Sequence, residues 1–265
     1  MKSAPVLTFD GAIVMVTGAS KGIGFACARA FARSGATVAG VSRSHENLEA
    51  ARAALQSEGL DMHTIAADLG DEAAALEAVR RVEDEVGAIS VLVNSAGAAR
   101  RYALDQLGGA AFRAAMDAKY FSYMHVIDAV ARRMAMRQRG SIVNVIGQGG
   151  KSPSPFHIAG GAANAALMLA TVGYARAYAR QGVRFNAINP GLTRTGRVES
   201  GIAVEAESSG RSREEVLADH IAGIPMGRLA EPEEVANVAL FFASDLASYV
   251  SGAVIPMDGC AAAFI

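Results

Sequence analysis

A run of apolar residues that ends in a glycine-rich turn, with a helical pattern directly after it, constrains the fold of this chain more than any other feature. The apolar run covers residues 13–16, and the turn at residues 17–24 reads Thr-Gly-Ala-Ser-Lys-Gly-Ile-Gly. Beyond the turn, apolar residues recur at the spacing of one helix face, at Ile23, Ala26, Cys27, Ala30 and Phe31. The stretch therefore predicts a buried strand, a tight turn and a helix whose free N-terminal N–H groups can hold a phosphate.

The three glycines of this turn have separate predicted roles. Gly18 permits the tight turn, Gly22 lets a pyrophosphate approach the backbone, and Gly24 lets the helix lie close to the sheet. Their spacing, G-x-x-x-G-x-G, differs from the G-x-G-x-x-G dinucleotide fingerprint. The turn is not a Walker loop either, because Lys21 precedes Gly22 and no Gly-Lys-Ser/Thr follows. Such a turn either binds a nucleotide or has only a structural role.

Apolar runs alternate with helical patterns along the whole chain, which is typical of parallel βαβ units. Strands are predicted at residues 13–16, 37–41, 62–66, 89–93, 141–146, 183–188 and 253–256. Helices are predicted after residue 22, at about 46–56, after Asp71, and at about 112–137, 156–180 and 233–243. Right-handed crossovers wind such a chain into a single Rossmann-type α/β domain over residues 1–265, with a doubly wound, seven-stranded parallel sheet and helices on both faces.

One segment departs from this alternation. Residues 197–224 are polar and lie between the sixth strand and the helix predicted at 233–243. Their length and polarity suit a mobile lid over a substrate pocket. A solvated surface excursion fits the composition equally well.

The end of the second predicted strand indicates which nucleotide the glycine turn would bind. An acidic residue there hydrogen-bonds a ribose 2′-hydroxyl, whereas an arginine accommodates a 2′-phosphate. Residues 41–44 read Val-Ser-Arg-Ser, with no carboxylate. Arg43 can bind the phosphate bidentately, Ser42 or Ser44 can donate to it, and Lys21 adds a second positive charge. The sequence favours NADP(H) over NAD(H); the alternative is that Arg43 and Lys21 are two solvated cations.

The glycine turn and four later segments resemble the short-chain dehydrogenase/reductase family over nearly the whole chain. The later segments are Asp68-Leu69, Asn94-Ser95-Ala96-Gly97, Asn189-Pro190-Gly191 followed by Thr193 and Thr195, and Ser251-Gly252 with Asp258-Gly259. The resemblance implies a nicotinamide cofactor. Its adenine edge would contact the first of these segments, and its carboxamide would contact the third. The second segment would brace the sheet. The predicted cofactor-binding residues are Gly18, Ser20, Lys21, Gly22, Ile23, Ser42, Arg43, Asp68, Leu69, Asn94, Ala96, Gly97, Pro190, Gly191 and Thr193.

All four side chains on which hydride transfer in that family depends, an Asn, a Ser and a Tyr-x-x-x-Lys pair, are replaced here. The resemblance aligns His157 with the Tyr and Gly161 with the Lys. Gly147 stands where the Ser is expected, with Asn144 as the nearby polar alternative, and Lys119 stands at the Asn position.

One hypothesis is that the site is rebuilt, with His157 as the proton donor and acceptor. An imidazole titrates near neutrality without a neighbouring cation, and a lysine beside it would lower its pKa by like-charge repulsion. Lys119, or Lys151 in the following loop, would supply positive charge to a developing oxyanion. Gly147 and Gly161 would open space for the substrate.

Two other interpretations stay open. In one, the chain keeps the fold as a catalytically silent NADP-binding module. In the other, it catalyses a reaction other than hydride transfer on the same fold. The loss of the lysine also removes a contact that the resemblance implies to the nicotinamide ribose.

Charge and composition exclude several classes of function. The formal net charge is −1, and no basic run indicates nucleic-acid binding. The five histidines and two cysteines form no ligand-spaced cluster, so no metal site is expected. No apolar stretch is expected to reach the length of a membrane span, and the first ten residues do not read as a secretory signal. These observations predict a cytoplasmic protein without a membrane partner.

The partners expected are a small-molecule substrate and further copies of the chain. Residues 159–170 are rich in Gly and Ala, which lets two helices approach closely. The family that this chain resembles commonly pairs this helix with the same helix of a second subunit. A homotetramer is expected, with a homodimer next. Arg100, Arg101, Tyr102 and Phe156 suggest an anionic or aromatic substrate, although the two arginines are equally compatible with a solvated surface.

Overall fold

The computed structural model describes residues 7–97, 100–102, 104–155 and 157–262, and at its centre is one seven-stranded sheet whose neighbouring strands are all parallel. The strands are β1 (Ile13–Thr17), β2 (Thr37–Ser42), β3 (His63–Ala66), β4 (Ile89–Asn94), β5 (Gly140–Val145), β6 (Val183–Pro190) and β7 (Val254–Met257). Their order is β3-β2-β1-β4-β5-β6-β7. The strand order reverses between β1 and β4, and such sheets bind ligands at the carboxyl ends of the strands there. The predicted doubly wound, seven-stranded parallel sheet is confirmed.

Helices cover both faces of the sheet. They are α1 (Gly22–Arg33), α2 (His45–Gln56), α3 (Glu72–Glu85), α4 (Gly109–Ala115), α5 (Ser122–Met136), α6 (Ile158–Tyr178), α7 (Gly196–Ser209), α8 (Arg213–Ala222) and α9 (Pro232–Ala243). Side chains alternate between the two faces of β1, so that Met15 lies in one hydrophobic cluster and Val14 and Val16 lie in the other. A strand buried on both faces explains the uninterrupted apolar run in the sequence.

The long helical segment predicted at 112–137 is a composite of three pieces. Between α4 and α5 the chain forms a π-helical stretch, Met116–Phe121. The wider turn carries Lys119, which is the buried residue of this stretch. π-Helical turns inside α-helices are frequent at functional sites, and apolar periodicity gives no signal for them.

The second long helix, predicted at 156–180, begins slightly later. His157 is the residue immediately before α6, with φ −133° and ψ 28°, and Phe156 lies outside the described residues. The His157 side chain makes no hydrogen bond that caps α6. It is therefore held at the end of the loop that follows β5 rather than within the helix.

The polar segment at residues 197–224 forms a helical hairpin. The helices α7 and α8 enclose a small apolar cluster of Ile202, Ala206 and Val216. Ser212 and Glu215 form a capping box at the start of α8. A packed hairpin is compatible with a lid that moves as a unit, since its helices bury apolar residues against each other.

The expectation that no apolar stretch reaches the length of a membrane span is wrong for α6. By length and composition alone, the segment Ile158–Gln181 is long and apolar enough to cross a membrane, with a mean hydropathy of 1.3 over an 18-residue window. The helix instead packs on the sheet, with Ala159, Leu167 and Thr171 buried. Alanine and glycine on its outer face raise its hydropathy, which is the pattern of a core helix.

Candidate active site

The glycine turn after β1 forms a cradle at the N-terminus of α1 that side chains would fill. Gly18 and Gly22 have φ values of +69° and +58°, which glycine adopts without strain. A Cβ on Gly18 would lie 2.9 Å from the carbonyl oxygen of Ser95, and a Cβ on Gly24 would overlap the Gly18 carbonyl oxygen. Lys21, which precedes α1, makes no side-chain cap, and the first turn holds no acidic residue. The uncapped N–H groups and the space above them fit the pyrophosphate of a dinucleotide.

The end of β2 lies beside this cradle. The hydroxyl oxygens of Ser20 and Ser42 are 3.0 Å apart, which joins the turn to the second strand. Ser44 accepts a hydrogen bond from the Asn47 N–H and begins α2. Arg43, between Ser42 and Ser44, is exposed, and its side chain forms no hydrogen bond or ion pair with the described residues. The predicted 2′-phosphate contacts are thus close to the glycine turn.

The Asn94 segment braces the sheet through a buried polar network. The Asn94 side chain donates to Oδ1 of Asn144 over 3.0 Å, and Asn144 donates to the Thr171 hydroxyl on α6 over 2.9 Å. The hydroxyl of Thr17 accepts from the backbone N–H of Ala96 over 3.1 Å. Asn144 is fully buried in this network. It is committed to the core and does not face the site, so the alternative that it replaces the family's serine does not fit the structure.

Asp68 and Leu69 follow β3 at the same edge of the sheet. Oδ1 of Asp68 accepts from the backbone N–H of Gly70 over 3.0 Å, which fixes the turn. Leu69 is buried, and its carbonyl oxygen lies 3.1 Å from Nδ1 of His125. One carboxylate oxygen of Asp68 and the apolar Leu69 side chain are therefore held in a rigid turn.

The segment after β6 comes close to the glycine turn. Gly191 donates its N–H to the carbonyl oxygen of Met257 over 3.0 Å, and the Thr193 hydroxyl donates to the Gly191 carbonyl oxygen over 3.3 Å. The methyl group of Thr195 lies 3.4 Å from the place of a Cβ on Gly22. The structure thus brings the third motif to the pyrophosphate cradle.

Lys119 is buried and anchored on one side by two acceptors. Its Nζ donates to the Tyr123 hydroxyl over 2.9 Å and to the Val145 carbonyl oxygen over 3.3 Å. Burial is the main cause that lowers the pKa of Lys119 to about 7, and the positive charge of Arg197 adds to it. The Tyr123 hydroxyl donates to the Val145 carbonyl oxygen over 2.6 Å, and burial raises its pKa. Tyr123 therefore holds the lysine and is a poor proton donor itself.

His157 is half-buried, and its Nδ1 is buried with no hydrogen-bond partner in the described residues. Burial is the first cause that lowers the pKa of His157, followed by the positive charges of Arg101, Lys119 and Arg197. The imidazole is thus neutral at pH 7. A neutral imidazole with an unpaired ring nitrogen is suited to accept a proton.

The expectation that Gly161 and Gly147 open space for a substrate is wrong at Gly161. A Cβ there would lie only 2.7 Å from the carbonyl oxygen of Gly149, in the turn Gln148–Gly150. The space next to Gly147 is taken by the side chain of Asn164, whose Nδ2 lies 3.3 Å from the place of a Cβ on Gly147. The loop after β5 lies against α6, and its backbone occupies the space where a side chain at position 161 would begin.

Three residues of the site were missed by sequence reasoning. Arg197, at the start of α7, donates to the Gly97 carbonyl oxygen over 3.4 Å and acts electrostatically on Lys119. Tyr123 follows Lys119 by four positions, a helical spacing that signals a pair. Asn164 is a polar residue inside an apolar helical pattern, which is also a signal. Lys151, the other lysine considered, is exposed and donates to the Val254 carbonyl oxygen over 3.2 Å.

The fold and these residues define a Rossmann-type protein that binds a nicotinamide dinucleotide. A sequence model of the family described as enoyl-(acyl carrier protein) reductase matches residues 18–260. The chain belongs to the short-chain dehydrogenase/reductase family, and it is an oxidoreductase that acts on small molecules.

Two relatives that act on or bind hydroxy acids are similar over nearly their whole lengths. Gluconate 5-dehydrogenase of Gluconobacter oxydans (strain 621H) is 32% identical over 260 residues, which are 98% of both chains. The crystal structure of a gluconate 5-dehydrogenase from Burkholderia cenocepacia J2315 in complex with NADP and tartrate has a TM-score of 0.88 and 27% identity, and the match covers 98% of both chains. An NAD⁺-bound xylitol dehydrogenase has a TM-score of 0.89 and 27% identity, with 95% and 99% of the two chains covered.

Proposed function

We propose that this chain transfers hydride between NADP(H) and a carbonyl or alcohol substrate through a non-standard active site built around His157. The observation that carries the proposal is that His157, a half-buried imidazole with an unpaired ring nitrogen, lies at the same edge of the sheet as the uncapped N-terminus of α1. Cofactor and proton-transfer group would then meet at the carboxyl ends of the strands.

The cofactor would be held mainly by backbone groups. Gly22 would let the pyrophosphate approach the backbone, and the first N–H groups of α1 would donate to it. Arg43, with Ser42 beside it, would bind the 2′-phosphate, and Lys21 would add positive charge. When bound, the nicotinamide supplies or accepts the hydride.

Proton transfer would fall to His157. Its lowered pKa makes the neutral form dominant at pH 7, so the residue would act as the base in alcohol oxidation. In carbonyl reduction the imidazolium form must donate, so reduction would be favoured at lower pH. Lys119, with a pKa of about 7, would carry a partial positive charge near neutral pH and stabilise a developing oxyanion.

The electrostatics of the site favour an anionic substrate. Arg101, Lys119 and Arg197 all act on His157, and no carboxylate of the described residues is among the charges that shift the pKa of His157 or Lys119. Uncompensated cations in a cleft attract anions. The gluconate relatives support a hydroxy acid, whereas the xylitol dehydrogenase supports a neutral polyol. The hairpin of α7 and α8, which carries Arg197, would act as the lid.

The function is tested by measuring turnover with NADP and NADPH in the wild type and in His157→Ala, on a panel of hydroxy acids, polyols and their carbonyl forms that begins with gluconate and xylitol. The proposal expects NADP-dependent turnover that His157→Ala greatly reduces. Equal rates in both proteins would remove His157 from the mechanism. Binding of NADPH without turnover by the wild type would favour a catalytically silent NADP-binding module, for which the absence of a lysine at Gly161 is the supporting feature.

Assembly is proposed through the outer face of α6. Ala162, Ala165, Leu169 and Gly173 lie on that face and are exposed, and 77% of the Leu169 surface is accessible. Small residues around an exposed leucine allow close packing of a second copy of the helix. We propose a homotetramer or homodimer in the cytoplasm. Sedimentation of the wild type and of Leu169→Glu tests this, with dissociation of the variant as the expected result.

A further inference from the structure

Asn164 is a buried polar residue of α6 that the proposed proton transfer leaves unused. Its side chain is 4% exposed, and its Oδ1 is buried without a hydrogen-bond partner in the described residues. Buried amides in proteins are nearly always paired, because a buried polar atom without a partner loses its hydrogen bonds to water and gains none. An unpaired buried amide within the active-site region therefore needs an explanation.

The Asn164 amide lies next to the loop that carries His157. Its Nδ2 is 3.3 Å from the place of a Cβ on Gly147 and 3.7 Å from the place of a Cβ on Gly149. The His157 ring flanks the same glycine, with Cδ2 3.0 Å from that Gly149 position. Both side chains have an unpaired buried atom, Oδ1 of Asn164 and Nδ1 of His157. Two unsatisfied polar groups thus flank Gly149.

The backbone does not require glycine at position 147. Gly147 has φ −55° and ψ 148°, an extended conformation that any residue adopts. Glycine is favoured at position 147 because of Asn164 instead, since a Cβ there would press against Nδ2 of Asn164. The amide group therefore occupies the space in which a side chain at position 147 would begin.

We propose that Asn164 binds the reacting oxygen of the substrate, in place of a hydroxyl side chain at position 147. This inference rests on the proposed oxidoreductase function. A serine hydroxyl both donates and accepts hydrogen bonds, and an amide side chain does the same with two separate atoms. Nδ2 donates to the carbonyl oxygen in reduction and to a lone pair of the alcohol oxygen in oxidation, which leaves the single hydroxyl proton for His157. The group thus serves both directions of the reaction, and His157 beside it exchanges the proton.

Four variants test the proposal through steady-state kinetics. Asn164→Ala removes the amide, and Asn164→Leu removes it at similar volume. Both are expected to lower kcat by about 10²-fold, as loss of one donor to a developing oxyanion does, with the KM for NADP(H) unchanged. In the double variant Gly147→Ser/Asn164→Ala, the hydroxyl has room and is expected to restore kcat at least about tenfold.

The matched control is Gly147→Ala/Asn164→Ala, which fills the same space without a hydroxyl. It is expected to stay as slow as Asn164→Ala. Equal recovery in the two double variants would show a packing role and overturn the proposal, as would a wild-type kcat in Asn164→Leu. Thermal unfolding of each variant shows whether it is folded.

A binding readout separates this inference from the proposed function. Tartrate is titrated calorimetrically into the wild type, Asn164→Leu and Gly147→Ser/Asn164→Ala, each saturated with NADP. The expected result is weaker binding to Asn164→Leu and recovery in the double variant, even if the wild type turns over nothing on the panel. Equal affinities in all three proteins, or no affinity in the wild type, would overturn the oxygen-binding role.

Discussion

Glycines serve different purposes in two parts of the carboxyl edge of the sheet, named here the cofactor edge and the substrate edge. At the cofactor edge, the carboxyl ends of β1, β2 and β4, Gly18 and Gly22 have positive φ, and the N-terminus of α1 that follows has no side-chain cap. At the substrate edge, the loop after β5 and the start of α6, Gly147 and Gly161 have ordinary backbone angles and lack a side chain because neighbouring atoms fill the space. The first set lets the chain turn tightly into the uncapped N-terminus of α1, and the second lets the loop lie against α6.

This difference explains why one edge retains the family pattern and the other does not. Backbone N–H groups bind phosphate whatever the neighbouring side chains are, so the cofactor edge needs only the turn and a few polar residues. Proton transfer needs a specific titratable side chain in a specific place. With the Gly149 carbonyl oxygen against Gly161, a side chain there would clash, and in our proposal His157 and its neighbours carry the proton transfer.

The largest expected effect comes from removing the proton-transfer group at the substrate edge. His157→Ala should lower kcat by roughly 10²- to 10⁴-fold, the usual contribution of a general acid or base, and leave the Kd of NADPH unchanged. Steady-state kinetics and fluorescence titration check both. His63→Ala, at an exposed position on β3, is the control and should keep full activity. A loss of NADPH affinity in His157→Ala equal to the loss of rate would contradict the separation of the two edges.

A charge removed from the cofactor edge should have a smaller and purely binding effect. Arg43→Ala should raise the KM for NADPH by about 10- to 100-fold, since a charge-assisted hydrogen bond is worth about 1.5–3 kcal/mol, and leave the KM for NADH unchanged. Arg180→Ala, at an exposed position after α6, is the control. An equal rise in the KM for NADPH and the KM for NADH would mean that Arg43 does not bind the 2′-phosphate.

Alanine at two of the three glycines of α6, Gly161 and Gly173, should distinguish a packed position from an open one. Gly161→Ala should destabilise the protein by about 1–3 kcal/mol, because its Cβ would press on the Gly149 carbonyl oxygen. Gly173→Ala, made together with Leu169→Glu so that no second copy of α6 meets the new methyl group, should stabilise the protein by about 0.5–1 kcal/mol relative to Leu169→Glu alone, since none of the described residues lies within 4 Å of the new Cβ. Urea unfolding of both variants measures this. Stabilisation of both would show that the loop does not rest on Gly161.

The smallest expected effect is a shift in the pH profile of alcohol oxidation. The pKa of His157 is lowered from 6.5, so kcat/KM should fall with decreasing pH only below that value. Lys119→Met removes one nearby positive charge and should move this acid limb to higher pH. The shift should be limited, because burial is the larger cause. Lys151→Met is the control and should leave the limb in place; a shift to lower pH in Lys119→Met would contradict the assigned electrostatics.

The sequence predicts the fold well, because β1 to β7 are apolar runs separated by clear helical patterns, and it predicts the glycine cradle from spacing alone. It does not predict the π-helical stretch that carries Lys119, since six residues are too few to show an apolar period of their own. It singles out His157 and Gly161 as candidate positions but gives no sign that the Gly149 carbonyl oxygen lies against Gly161. Asn164 and Arg197 reach the site only because α6 and α7 pack beside it. The residues adjacent to them in the sequence do not indicate this tertiary packing.

The central claim is that this chain moves a hydride through a site in which His157 exchanges the proton. Its most direct test is mass spectrometry of the alcohols formed when NADPH doubly deuterated at C4 of the nicotinamide is incubated with the carbonyl panel. The account predicts one deuterium on the carbinol carbon of a product of the wild type, and at most a hundredth of that rate with His157→Ala. Absence of deuterium transfer by the wild type, or equal transfer by the variant, would contradict it.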